Sequence, residues 1–174
     1  MELKIKVDDR QVMEALQALQ RQSGDMAPAL AEIGEDLTAM AHRAFDTETS
    51  PVTGFKWPER VTDTGRKILT GETGQLNDSI NYRLLGQDGV EIGSPMEYAA
   101  IHQLGGKTKA HEIRPRNKKA LAFGGLVVKS VNHPGSVIPA RPFLPVGPNG
   151  ELAPEAQRNI LEILGDHLER AFRP

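Results

Sequence analysis

Sustained helical periodicity is confined to two stretches of this chain, and glycine and proline cut most of the rest into short pieces. In the first, residues 28–45, Leu30, Ile33, Leu37, Met40 or Ala41, and Ala44 recur at three- and four-residue spacing, and Pro28 suits a first helical turn. In the second, residues 154–172, Ile160, Leu164, Leu168 and Ala171 form one stripe, which Leu161 and Ile163 widen. The chain's 17 glycines and 12 prolines, most of them between these stretches, leave room there for short strands and turns only. The reading is an α+β fold: a small antiparallel sheet of hairpins, packed by two N-terminal helices, a short central helix and a C-terminal helix.

The shorter elements follow from local pattern. Leu3, Ile5 and Val7 alternate with Lys4 and Lys6 as in a half-buried strand. Asp8 and Asp9 offer N-caps to a short helix bearing Val12, Leu16 and Leu19, which Gly24 ends. Residues 73–80 read as a helical turn or two. Ile80, Tyr82 and Leu84 then alternate up to a turn at Gly86–Gly89, and Val90 and Ile92 return, which predicts a hairpin. Residues 95–104 predict a short helix ended by Gly105-Gly106. A second hairpin is expected where Leu121 and Phe123 precede Gly124-Gly125 and Leu126-Val127-Val128. The expected organisation is a single domain over 1–174 with long loops at about 46–70 and 105–119. Trp57, the one tryptophan, lies in the first loop and favours its docking on something.

Composition excludes several chemistries. With no cysteine there is no disulfide, thiolate nucleophile or cysteine-ligated metal. No apolar run approaches the roughly 18–20 residues that span a bilayer, so no membrane contact is expected. Residues 1–5 lack the basic start and apolar stretch of a signal peptide, and the protein is expected to stay where it is made. His42, His102, His111, His133 and His167 show no metal-binding spacing on a helix, although His102 and His111 flank Gly105-Gly106. Gly93-Ser94-Pro95 is a poor nucleophile elbow, because the proline has no N–H for an oxyanion hole. Gly71-Glu72-Thr73-Gly74 has no following Lys-Ser/Thr and is no phosphate loop. The chain is therefore read as a non-enzyme, with no catalytic residue, no metal and no cofactor.

Charge is more informative. Residues 105–130 carry seven basic side chains (Lys107, Lys109, Arg114, Arg116, Lys118, Lys119, Lys129) against Glu112 alone. That segment is +6 in a chain of net charge −2, which leaves −8 for the remainder. Such separation suits an acidic protein partner, another copy of the chain, or nucleic acid. The nucleic-acid reading lacks aromatic residues among the first six cations and the chain's pI is near 6.2.

Two motifs make the sequence recognisable. At Tyr98-Ala99-Ala100-Ile101-His102-Gln103-Leu104-Gly105-Gly106 and at Ile138-Pro139-Ala140-Arg141-Pro142-Phe143-Leu144 the chain resembles the phage virion morphogenesis family, the tail-completion group of Mu-type contractile-tailed phages. Gly54-x-x-Trp57, Ile68-Leu69, Thr73-Gly74-x-Leu76-x-x-Ser79-Ile80 and Val90-x-Ile92-Gly93-Ser94 extend the likeness upstream, and a closing helix with Asp166-His167-Leu168 extends it downstream. The likeness covers most of the chain from about residue 45 onward. Ile113-Arg114-Pro115 through His133-Pro134-Gly135 is also similar to the connector and tail-completion proteins of long-tailed phages, whose loop at 46–70 is generally shorter or different.

The resemblance implies a structural protein of virion assembly, in tail completion or head–tail joining, with tail and neck both open. It implies a homo-oligomer, in ring form, that meets tail-tube or connector proteins in the virion after assembly in the host cytoplasm. The interface candidates are Trp57, Tyr98, His102, Gln103, Arg141 and Phe143, with Lys107, Lys109, Arg114, Arg116 and Lys118 of the basic segment. In this reading Tyr98, Ile101 and Leu104 anchor the short helix and leave His102 and Gln103 for polar contacts. Pro139, Pro142 and Pro145 stiffen a strap that holds Phe143 and Leu144 against the sheet. Arg141 pairs with a carboxylate of a neighbouring subunit or with a group of its own chain. A nucleic-acid-binding module using residues 105–130 is the alternative.

Overall fold

The computed structural model describes residues 10, 14, 17, 25–60, 65–71 and 73–172. The strand expected at 3–7 lies outside the described residues, as does the helix after it except Arg10, Glu14 and Gln17, which are helical. The first long periodic stretch is helix α1, Ala27–Thr47, with proline in its first turn and the Asp25 carboxylate accepting from the Ala27 N–H at 3.0 Å. Its buried face comprises Leu30, Ile33, Leu37, Met40, Ala41, Ala44 and Phe45, as the spacing requires.

α2 is a single turn, Gln75–Asp78, and leads into the first hairpin, β1 (Asn81–Leu84) with β2 (Val90–Gly93). Its antiparallel register sets Tyr82 opposite Ile92. This hairpin packs on α1, where Gly34 makes room for it: a β-carbon at Gly34 would land on the ring of Tyr82. α3, Ala99–Leu104, follows.

The fold is α+β with antiparallel hairpins, as expected, but the strands do not join into one sheet. The remaining strands form three more two-stranded antiparallel pairs: β3 (Gly106–Lys107) with β8 (Val137–Ile138), β4 (His111–Ile113) with β7 (Val131–His133), and β5 (Leu121–Phe123) with β6 (Leu126–Val128). The pairs are nested, so residues 106–138 make one long β-arm that leaves the body at α3 and returns to it. Gly124 and Gly125 close its tip with φ of 54° and 79°, the left-handed pair a two-residue hairpin turn requires. Much of the loop expected at 105–119 is thus one side of this arm.

α4, Pro154–Phe172, packs along α1. Two clusters form the interior. One joins the first part of α1 to Leu152, Ala156, Ile160 and Leu164. The other joins Ala44 and Phe45 to Trp57, Leu76, Ile80, Ala99, Phe143, Leu144 and Val146. Leu161 is a correction: expected to widen the apolar stripe, it is 50% exposed. α1 covers only one side of α4, and Leu161 lies past its edge.

Gly34→Ala is expected to cost about 1–3 kcal/mol, because the ring of Tyr82 must leave its place. Urea unfolding of the two proteins measures it, and an unchanged midpoint would contradict this packing.

Candidate functional site

Helix α3 has two inward residues, Ala99 and Gln103, four apart and both buried. Gln103, 2% exposed, carries its amide into the interior. Its Oε1 accepts the N–H groups of Phe143 (2.9 Å) and Leu144 (3.0 Å). Its Nε2 donates to the carbonyls of Val146 (3.1 Å) and, at 3.4 Å, Leu144. Residues 139–145 lie in no strand, so this strap is held by side chains where a ladder would otherwise satisfy its backbone.

Neighbouring groups complete the clamp. The Arg141 N–H donates to the His102 carbonyl at 2.7 Å, and the Trp57 indole N–H donates to the Pro142 carbonyl at 2.8 Å. The Arg141 guanidinium donates to the carbonyls of Pro58 (2.9 Å) and Glu59 (3.0 Å). Phe143, wholly buried, sits 5.3 Å from the Phe45 ring, which meets Trp57 edge-on at 5.5 Å. Arg141 therefore pairs within its own chain, with carbonyls, and makes no ion pair with a carboxylate among the described residues. The loop at 46–70 is tied down in part: Thr49 bridges Lys56, and Trp57 docks on this chain's own core.

The orientation of α3 is a second correction. Tyr98 and Leu104, expected as buried anchors, are exposed, Ile101 is half-buried, and Gln103 faces inward. The strap's unpaired N–H groups demand a buried acceptor, and Gln103 supplies it. Phe143 and Leu144 lie in one cluster with Phe45 of α1 and Trp57, and Ile92 of β2 packs against the same cluster.

His102, Tyr98 and Arg141 border an open cleft of about 460 Å³ together with Arg60, Leu69 and Thr73. The His102 Nδ1 is buried without a hydrogen-bond partner among the described residues. Burial, and then the neighbouring Arg141 charge, hold His102 below its usual pKa. No group of three or more His, Asp or Glu side chains that could hold a metal occurs among the described residues. His111 meets His133 across β4–β7, with ring centroids 5.3 Å apart, and does not converge with His102.

The arm has a different character from the body. No residue from 104 to 140 whose side chain is described is buried. Leu126 is 60% exposed, Val127 74% and Val137 71%, and none of these was singled out by the sequence pattern as a contact. Their signal was present: two short apolar strands with no nearby helix to cover them. Of the seven cations, Arg114 pairs with Glu112 at 2.8 Å. Hydrogen bonds from Ser130 and Arg114 hold the Glu112 carboxyl below the usual range. Lys107, Lys109, Arg116, Lys118, Lys119 and Lys129 make no ion pair among the described residues. The eleven candidates thus divide: Trp57, Gln103, Arg141 and Phe143 build the clamp, Tyr98 and His102 border the cleft, and the five cations lie on the arm.

A family model of the phage virion morphogenesis family matches residues 7–169, nearly the whole chain, and the chain belongs to that family. No curated protein and no solved structure matches it.

Replacing Gln103 with Leu leaves two buried N–H groups and two carbonyls without partners. The expected loss of stability is about 4 kcal/mol or more, at about 1–3 kcal/mol for each unpaired group, read by denaturant unfolding. A loss below about 0.5 kcal/mol would show that the strap is held by other means.

Proposed function

We propose that this member of the phage virion morphogenesis family completes the tail or joins head to tail by assembling into a ring through its β-arm. Family membership carries a structural role in virion assembly, and the chain is read as a structural protein, not an enzyme. The observation that supports the finer reading is the arm itself: 33 residues, 106–138, with no described side chain buried, six cations without an ion pair among the described residues, and exposed Leu126, Val127 and Val137. An isolated two-stranded ribbon of this kind is marginal in water. It gains a reason to exist when a partner covers it.

Magnitudes assign the roles. Covering a Leu or Val contributes about 1.5–3 kcal/mol, whereas an exposed ion pair contributes about 0–1 kcal/mol. Leu126, Val127 and Val137 would therefore supply the affinity. Lys107, Lys109, Arg116, Lys118 and Lys119 would orient the encounter and speed it. Trp57, Gln103, Arg141 and Phe143 serve association indirectly, by fixing the strap at the arm's base. A closed ring needs one heterologous interface repeated around an axis.

The six cations without an ion pair among the described residues also favour a second reading, contact with nucleic acid, for which affinity would fall steeply with salt. Sedimentation velocity over a range of concentrations separates the two. The assembly reading expects concentration-dependent association that Leu126→Ser with Val127→Ser weakens at least tenfold. A strict monomer that binds no tail protein but binds duplex DNA at low salt would decide for nucleic acid.

A further inference from the structure

The outer face of α4 is built unlike the rest of that helix. Arg158, Leu161, Glu162, Gly165, Asp166 and Glu169 recur at three- and four-residue spacing and are all exposed. Glu162, Asp166 and Glu169 make no ion pair among the described residues. Other carboxylates of the two long helices are engaged: Glu155 with Arg43, Glu32 with Arg170, Asp36 with Asn159. Leu161 stands among the unpaired acids, and a β-carbon at Gly165 would meet nothing within 4 Å. The face therefore offers an apolar point, an unfilled step and a net negative charge.

These are the complements of the arm, which offers unpaired cations and exposed Leu126 and Val127. We infer that the occupant of the α4 outer face is the β-arm of a second copy of this chain. Charge complementarity selects the second copy: the arm holds +6 and the rest of the chain −8, so each copy carries both halves of the pair. Both halves are solvent-exposed in the single chain, so neither is used up before association. The two patches are different surfaces, so the contact is head-to-tail and leaves an arm free at one end and a helix face free at the other end of any open chain of copies. This inference rests on the ring reading and names its interface.

A charge swap tests it. One variant carries Lys107→Glu, Lys109→Glu, Lys118→Glu and Lys119→Glu on the arm; the other carries Glu162→Lys, Asp166→Lys and Glu169→Lys on the helix. Each alone has like charges on both surfaces and should sediment as a monomer where the wild-type chain associates. Their equimolar mixture should recover association at least tenfold over either alone, because each arm then meets an opposite helix. Circular dichroism melting confirms that both variants are folded. If the helix variant associates like wild type while the arm variant does not, the arm docks elsewhere; the inference fails and the ring reading stands. Failure of the folded mixture to recover also overturns it. If the wild-type chain never associates, alone or with tail proteins, the ring reading falls and this inference with it.

Discussion

The amide of Gln103 is the contact on which the rest of the molecule depends. A strap that lies in no strand carries backbone groups into the interior, and each would cost on the order of 1–3 kcal/mol if left alone. Gln103 satisfies the N–H groups of Phe143 and Leu144 and the carbonyls of Leu144 and Val146 together. With the strap fixed, Phe143 can sit against Phe45 and Trp57 and tie the second cluster to α1. The same residue sets the base of the arm. Gly105 follows Gln103 by two positions, and a β-carbon there would lie 2.8 Å from the Ala140 nitrogen, so the outgoing and returning chains touch.

Two regimes of stability follow within one chain. The body has two apolar clusters and side-chain clamps; the arm has ladder hydrogen bonds and little else. Local opening free energy tracks buried apolar contact, so the arm is the part whose order depends on what covers it. An assembly protein gains from that division. In the proposed assembly the body would fold within each copy, and the arm would gain its stability when a neighbour covers it.

Much of the body was legible in the sequence because period summed over many residues is a strong signal: Leu30 to Ala44 and Ile160 to Leu168 marked two helices and their buried faces. The Gly124-Gly125 turn was legible for a local reason, since few pairs accept two left-handed residues in succession. What escaped was set at long range. Ile113 and Val131 pair across 18 positions, and nothing local in either names the other. Gln103 looked like a surface residue because its reason for burial lies in the strap, some forty residues away. Leu161 looked buried because a stripe shows which face is apolar and not how far the neighbouring helix reaches. The two motifs, one ending in Gly105-Gly106 and one beginning at Ile138, fall on the clamp and the arm's root. They left open whether Arg141 meets its own chain or a neighbour, and they did not say that Trp57 docks on this chain's own core.

Amide hydrogen exchange, followed residue by residue at low concentration and again in the assembled state, tests the central claim most directly. In the single chain the Phe143 and Leu144 amides should exchange only with global unfolding, while the ladder amides of 111–113 and 131–133 exchange orders of magnitude faster and slow on assembly. Arm amides as protected as those of the strap in the single chain, or unchanged on assembly, would contradict the account.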